Sequence, residues 1–194
     1  MDKGRLEAFS DGVMAVAITI MVLELHAPHE ASLAALLELI HPFFAYVLSF
    51  IYVAIYWNNH HHMFQSVEHV NGRVLWTNNL LLFCLSLVPF STNWMGETDF
   101  ALVPTIVYGI SLVLPAIAYM LLANALVALH GQDSTLARAM GRGVKEWVSP
   151  LIYALGIAGA FIHPYIAFAL YMVVAAIWFV PDRRIEAQLQ RRGG

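Results

Sequence analysis

The chain alternates between long apolar stretches and short polar ones. A helix that crosses a bilayer needs about 20 mostly apolar residues. Six stretches meet that pattern, over residues 6–25, 33–57, 74–94, 101–129, 144–160 and 165–180. Within the first, Val16, Ile20 and Leu23 recur at i, i+4 and i+7, so they share one helix face. By periodicity alone that stripe reads as a packing surface, with Gly12, Ala15 and Thr19 beside it as small residues that favour close helix approach. Pro42, Pro115 and Pro150 fall inside or near helices and are candidate kinks.

The polar segments set the expected orientation. Lys3 and Arg5 lie at the N-terminal end and Arg73 in the second loop. Arg138, Arg142 and Lys145 lie in the fourth loop, and Arg183, Arg184, Arg191 and Arg192 in the C-terminal tail. These are all 10 Lys and Arg residues of the chain. The first, third and fifth loops have none, and the third is acidic, with Glu97 and Asp99. Positive charge collects on the cytoplasmic side of membrane proteins, so both termini are expected there. Trp57, Trp76, Trp94, Trp147 and Trp178 sit near the ends of the stretches, where an amphipathic ring suits the interface. The expected architecture is an all-α integral membrane protein of six transmembrane helices. Residues 1–181 form one membrane domain and residues 182–194 a short basic cytoplasmic tail. The first stretch holds acidic residues and lacks a small-residue cleavage pattern, so it reads as part of the mature protein.

Composition supports that class. Of 194 residues 60% are hydrophobic and 12% charged, against about 25% charged in a soluble domain. A soluble globule, a disordered chain and a disulfide scaffold fit poorly. A net charge of −3 gives no reason to invoke nucleic acid. The single cysteine, Cys84, reads as an inert buried thiol.

Candidate chemistry gathers in the first three stretches. The first carries Arg5, Glu7, Asp11 and Glu24. An ionisable group within a bilayer costs at least a few kcal/mol and faces the bundle interior or water. Glu7 and Glu24 read as interfacial. Asp11, about two turns deep, reads as part of a structural polar network, with contact to a permeant ion or proton as the alternative. The second stretch ends in Trp57, Asn58, Asn59, His60, His61 and His62, with Phe64 after them. Consecutive helical residues point about 100° apart, so three adjacent histidines do not converge on one ion. No metal or cofactor is expected. Thr77, Asn78 and Asn79 open the third stretch. All three clusters belong to one end of their helices, so Ser10, Asp11, His60, His61 and Asn78 are expected at similar depth, supplying hydrogen bonds to each other.

Arg5-x-x-x-Phe9-Ser10-Asp11, Trp57-x-x-His60-His61-x-x-Phe64, and Trp76-x-Asn78 followed by Leu87-Val88-Pro89-Phe90 occur in order on three successive stretches. Together they resemble the signature of the transmembrane-protein-175 potassium channel family. The resemblance implies a single six-helix repeat of the prokaryotic form, a homotetramer in the cytoplasmic membrane, and a pore lined by four copies of the first helix. It implies no re-entrant pore loop, and the chain has no T-V-G-Y-G-like stretch. By the same resemblance Val16, Ile20 and Leu23 form the pore constriction and Thr19 bears on selectivity. Arg5, Phe9, Ser10, Asp11, His60, His61 and Asn78 then form a structural polar network. The implied function is a channel with modest selectivity for potassium over sodium. Related chains often carry isoleucine or leucine where this one has Val16.

Other readings stay open at this point. A proton-coupled carrier would use Asp11 with His60 or His61, since histidine titrates near neutral pH. The chain shows no inverted repeat of the kind many carriers have. A membrane enzyme would need a nucleophile, base and orienting group, and no such set is readable. A scaffold without transport is excluded by nothing except the resemblance.

Overall fold

The computed structural model describes residues 3–134, 136–137 and 144–179. Arg138, Arg142, Pro181 and the basic tail at 182–194 lie outside the described residues. The described residues are mostly helical, with no strand among them. The helices are α1 (Gly4–Leu23), α2 (Leu33–Glu38), α3 (Ile40–Gln65), α4 (Gly72–Ser86), α5 (Val88–Glu97), α6 (Leu102–His130), α7 (Val144–Ala160) and α8 (Pro164–Phe179).

Among the described residues four spans are long and apolar enough to cross a membrane: α1, α3, α4 with α5 taken together, and α6. The last two helices are apolar but shorter, at 17 and 16 residues. The second span departs from the expected 33–57. A short helix, α2, starts on the Ser32 cap, whose side chain accepts from the Ala35 amide. The chain then turns at Leu39, and α3 runs on to Gln65. Pro42 lies in the first turn of α3, where its missing N–H costs little. The three histidines therefore lie within the last two turns of a helix, with His62 in the last. The third span also divides, at Leu87. Pro89 has no N–H to offer the carbonyl four residues back, so the ladder tightens and the Leu87 amide bonds Cys84 O at 3.3 Å. Pro115 and Pro150, by contrast, stand inside α6 and α7 without ending them.

Lipid gives helices little hydrophobic reason to associate, so close packing and interhelical hydrogen bonds hold the bundle. Two buried clusters result. One joins α1, α4, the C-terminal part of α3 and the C-terminal part of α6 around Met14, Met63, Phe64, Leu81, Leu85 and Leu122. The other joins the N-terminal parts of α3 and α6 to α7 and α8 around Tyr52, Tyr108, Leu112 and Tyr171. Several polar groups inside the bundle are paired with each other, whereas the buried His62 Nδ1 has no hydrogen-bond partner among the described residues. Ser49 Oγ lies 2.7 Å from Thr92 Oγ1 and 2.9 Å from Tyr108 Oη, and Ser91 Oγ lies 2.7 Å from Ser111 Oγ.

The two ends of the bundle are closed differently. At one end Lys3 Nζ donates to Phe64 O and Val67 O, tying the start of α1 to the end of α3. Asn71 caps α4 there, and His130 at the end of α6 accepts from the Glu68 amide. At the far end His41 Nδ1 meets Asp99 Oδ1 at 2.8 Å, and its Nε2 meets Tyr165 Oη at 2.9 Å. Asp99 and Phe100 adopt positive φ of 51° and 58°, which costs of order 1–3 kcal/mol each. Burial of Phe100 against His41, Tyr165 and Phe168 offsets that strain.

Glycines at several contacts, among them Gly96, Gly109 and Gly156, permit close helix approaches. A Cβ on Gly96 would lie 2.7 Å from Pro42 Cα, and one on Gly109 would overlap the buried Tyr171 ring. Pro42 Cα is backbone and cannot rotate away, so Gly96→Ala forces α3 and α5 apart. We expect it to cost about 1–3 kcal/mol and to lower the Tm in detergent. Gly72→Ala, which adds a methyl in open space, should leave the Tm near wild type. Equal Tm values for both variants would contradict this packing.

Candidate functional site

The first helix divides into two faces. Leu6, Ser10, Met14, Ala17 and Met21 are buried against α3, α4 and α5. The opposite face is uncovered: Val16 is 55% exposed, Ile20 42% and Leu23 74%. Phe9, Gly12 and Thr19 are exposed with them. Thr19 Oγ1 donates to Val16 O at 2.9 Å, which commits its proton to the helix and leaves oxygen lone pairs free. Beside this face runs an apolar groove of about 450 Å³, lined on α1 by Phe9, Gly12, Val16 and Ile20 and across from it by Ser86 and Pro89. The break between α4 and α5 thus forms the far wall of the groove.

Ser10 anchors the buried face. Its hydroxyl donates to Leu6 O at 2.8 Å and accepts from Asn78 Nδ2 at 3.0 Å. Asn78 Oδ1 lies 2.8 Å from His60 Nε2. A carbonyl oxygen can only accept, so His60 carries its proton on Nε2 in this arrangement. All three residues are buried, and the His60 ring packs on Phe64 at 4.5 Å between centroids. One chain of hydrogen bonds therefore joins α1, α4 and α3.

Asp11 takes a different partner. It points about 100° away from Ser10, and its Oδ1 accepts from Trp57 Nε1 at 2.9 Å. Trp57 stacks on His61, with ring centroids 6.0 Å apart and an interplanar angle of 15°. His61 Nε2 accepts from Gln65 Nε2 at 2.8 Å. The residues expected in one network thus form two groups. Ser10, His60 and Asn78 are inside. Asp11 and His61 are exposed and linked through Trp57. Arg5 and Phe9 are exposed and take no part in the buried chain. The reason is angular: adjacent helical residues cannot serve one small buried site. Among the described residues no hydrogen bond joins Asp11 directly to His60; Asp11 bonds Trp57, and His60 bonds Asn78.

Sequence reasoning missed several pairs. Trp57, an exposed ring that suits the interface, is also the partner of Asp11. Glu24 Oε2 accepts from Asn93 Nδ2 at 3.2 Å. The clearest unread signal was the set of lone hydroxyls within apolar stretches, Ser49, Ser91, Thr92 and Ser111, each of which must find a partner away from water. Among the described residues no three His, Cys, Asp or Glu side chains come together as a metal site would require.

The model of the family described as endosomal/lysosomal potassium channel TMEM175 matches residues 5–89, the stretch that contains the buried chain and the exposed stripe. A potassium channel of Chryseobacterium sp. (strain P1-3) is 53% identical over 190 residues, covering 98% of this chain and 99% of the relative. A potassium channel of Chamaesiphon minutus (strain ATCC 27169 / PCC 6605) is 37% identical over 102 residues, half of each chain. The crystal structure of a lysosomal potassium-selective channel TMEM175 homolog from Chamaesiphon minutus superposes with a TM-score of 0.79 at 29% identity, over 93% of this chain and 97% of that one. Its relatives are ion channels and not enzymes, and with near end-to-end similarity to one of them this multi-pass membrane protein belongs to the TMEM175 potassium channel family.

Proposed function

We propose that the chain is a potassium-selective cation channel of modest selectivity over sodium, working as a homotetramer in the cell membrane. In this reading six helices cross the bilayer: α1, α3, α4 with α5, α6, α7 and α8. Both termini are cytoplasmic, residues 1–181 are the channel domain, and residues 182–194 are a basic tail. Four copies of α1 surround the pore, and no cofactor is required beyond the permeant ion.

The observation that carries the reading is the uncovered face of α1. It is apolar at Val16, Ile20 and Leu23 but carries an exposed hydroxyl at Thr19. One such helix cannot enclose a path, whereas four around an axis can. Rings of methyl groups then make a hydrophobic constriction that gates by dewetting. Such a ring cannot coordinate a bare ion, so discrimination rests on partial dehydration. Potassium gives up its water more readily than the smaller sodium ion. Thr19, with its proton held by Val16 O, offers oxygen lone pairs in place of lost water. The chain from Ser10 through Asn78 to His60 fixes the rotation of α1, and with it the face turned to the axis.

Two expectations follow for purified protein in liposomes under potassium or sodium gradients. Val16→Ala widens the narrowest ring and should raise flux or leak severalfold. Thr19→Ala should lower the potassium-to-sodium flux ratio. An unchanged flux in the first and an unchanged ratio in the second would assign this face to packing or lipid.

Loss of the anchor should behave differently. Asn78→Leu leaves the buried His60 Nε2–H without its acceptor and takes a donor from Ser10, which keeps only its bond to Leu6 O, at about 1–3 kcal/mol for each lost partner. Tetramer yield on gel filtration should fall, while the surviving channels keep the wild-type ion ratio. Asp11→Asn should likewise impair assembly or flux more than ion choice. Full yield and flux in both variants would contradict the anchoring role.

A further inference from the structure

Glu24 follows Leu23 directly and is the C-cap residue of α1. Its position does not serve the helix. A carboxylate at a helix C-terminus faces the negative end of the macrodipole, an unfavourable contact. The side chain is nevertheless held, half-buried, by the Asn93 Nδ2 donor of α5 at 3.2 Å. That bond ties one rotamer of a flexible side chain to the rim of the bundle.

The surroundings have one sign of charge. At the end where α1 finishes, segments 24–39, 97–101 and 161–163 contain Glu24, Glu30, Glu38, Glu97 and Asp99 and no Lys or Arg. The described basic residues, Lys3, Arg5, Arg73 and Lys145, belong to helix starts at the opposite end. Nothing cationic other than histidine therefore neutralises Glu24 locally. Helical rotation places it about 100° from Leu23 and seven residues on from the buried Ala17, so it lies on the α5 side of the helix, off the exposed stripe. The carboxylate thus stands beside the path and does not occlude it.

We propose that Glu24, positioned by Asn93, sets the supply of cations to the outer mouth of the pore. This rests on the reading of α1 as the pore helix. Four copies place four carboxylates around the axis one residue beyond the Leu23 ring. Fixed charge of one sign at a mouth with low-dielectric walls raises the local concentration of counter-ions. Its reach is the Debye length, about 10 Å at 0.1 M salt and about 3 Å at 1 M. The effect is therefore on conductance at low salt and not on the choice between potassium and sodium.

The test is potassium conductance in planar bilayers at about 20 mM and about 1 M KCl, chosen to lengthen and then collapse the Debye length. Glu24→Gln removes the charge but keeps the side-chain length and an acceptor for Asn93. We expect its current at low salt to fall about twofold or more and to match wild type at high salt. Asn93→Ala keeps the charge but frees it, and should show a smaller loss with the same salt dependence. Glu24→Asp should stay near wild type. No loss in Glu24→Gln, or the same fractional loss at both salt concentrations, overturns the proposal. If Val16→Ala alters conductance while Glu24→Gln does not, this proposal falls and the pore reading stands. If neither alters it, both fall. Should Glu24→Gln fail to assemble, the same comparison on Asn93→Ala decides: a salt-dependent loss supports the proposal, and any other result overturns it.

Discussion

The hydrogen-bonded chain from Ser10 through Asn78 to His60 is the contact on which the arrangement of α1 depends. It is buried, it joins three helices, and each member satisfies the next. In an apolar interior an unmade hydrogen bond costs more than a made one gains, so this chain specifies one rotation of α1 in preference to its neighbours. Turning α1 by one residue would bring Asp11 or Phe9 inward and take the Ser10 acceptor away from Asn78 Nδ2. With Ser10, Met14, Ala17 and Met21 held inside, Val16, Thr19, Ile20 and Leu23 have to lie outside. The exposed stripe is a consequence of the anchor, not an independent feature.

The same logic recurs along the bundle. Ser49, Thr92 and Tyr108 form one polar knot, and Ser91 with Ser111 another. These contacts tie α5 to α3 and α6 next to the break at Leu87. A helix interrupted by Pro89 gives up part of its backbone ladder, and neighbouring helices supply the hydrogen bonds that keep it in place. The break contributes directly to the groove beside α1, where Ser86 and Pro89 form the wall facing Phe9, Val16 and Ile20. Backbone irregularity and the candidate functional face are thus next to each other.

Much of this was legible in the sequence, and the reasons for the rest are physical. Long apolar stretches follow from composition, so the existence of the helices was readable. Helix breaks were not, because a proline signals one only when its neighbours let the chain turn: Pro89 marks a break, whereas Pro115 and Pro150 do not. The sequence suggests an end near Trp57 for this helix, since a polar run of Asn and His looks like a loop, but the run continues α3 to Gln65. The motif of Arg5, Phe9, Ser10 and Asp11 was visible as a unit. Its division between an inward Ser10 and an outward Asp11 needs the helical phase of α1 relative to α3 and α4. That phase is set by long-range contacts that no local pattern encodes. Glu24 and Asn93 are 69 positions apart, and their pairing was likewise invisible.

The most direct test of the account asks whether the exposed face of α1 meets water or lipid. Single cysteines at Thr19 and Ile20, and at Met14 and Ala17 on the buried face, would be placed in a Cys84→Ser background. Each variant would be treated with a charged, membrane-impermeant thiol reagent while potassium flux is recorded in liposomes. The account predicts that modification at Thr19 or Ile20 stops the flux and that Met14 and Ala17 do not react. Flux that persists at Thr19 and Ile20, with the reagent shown to react at an exposed control position, would contradict a pore on this face.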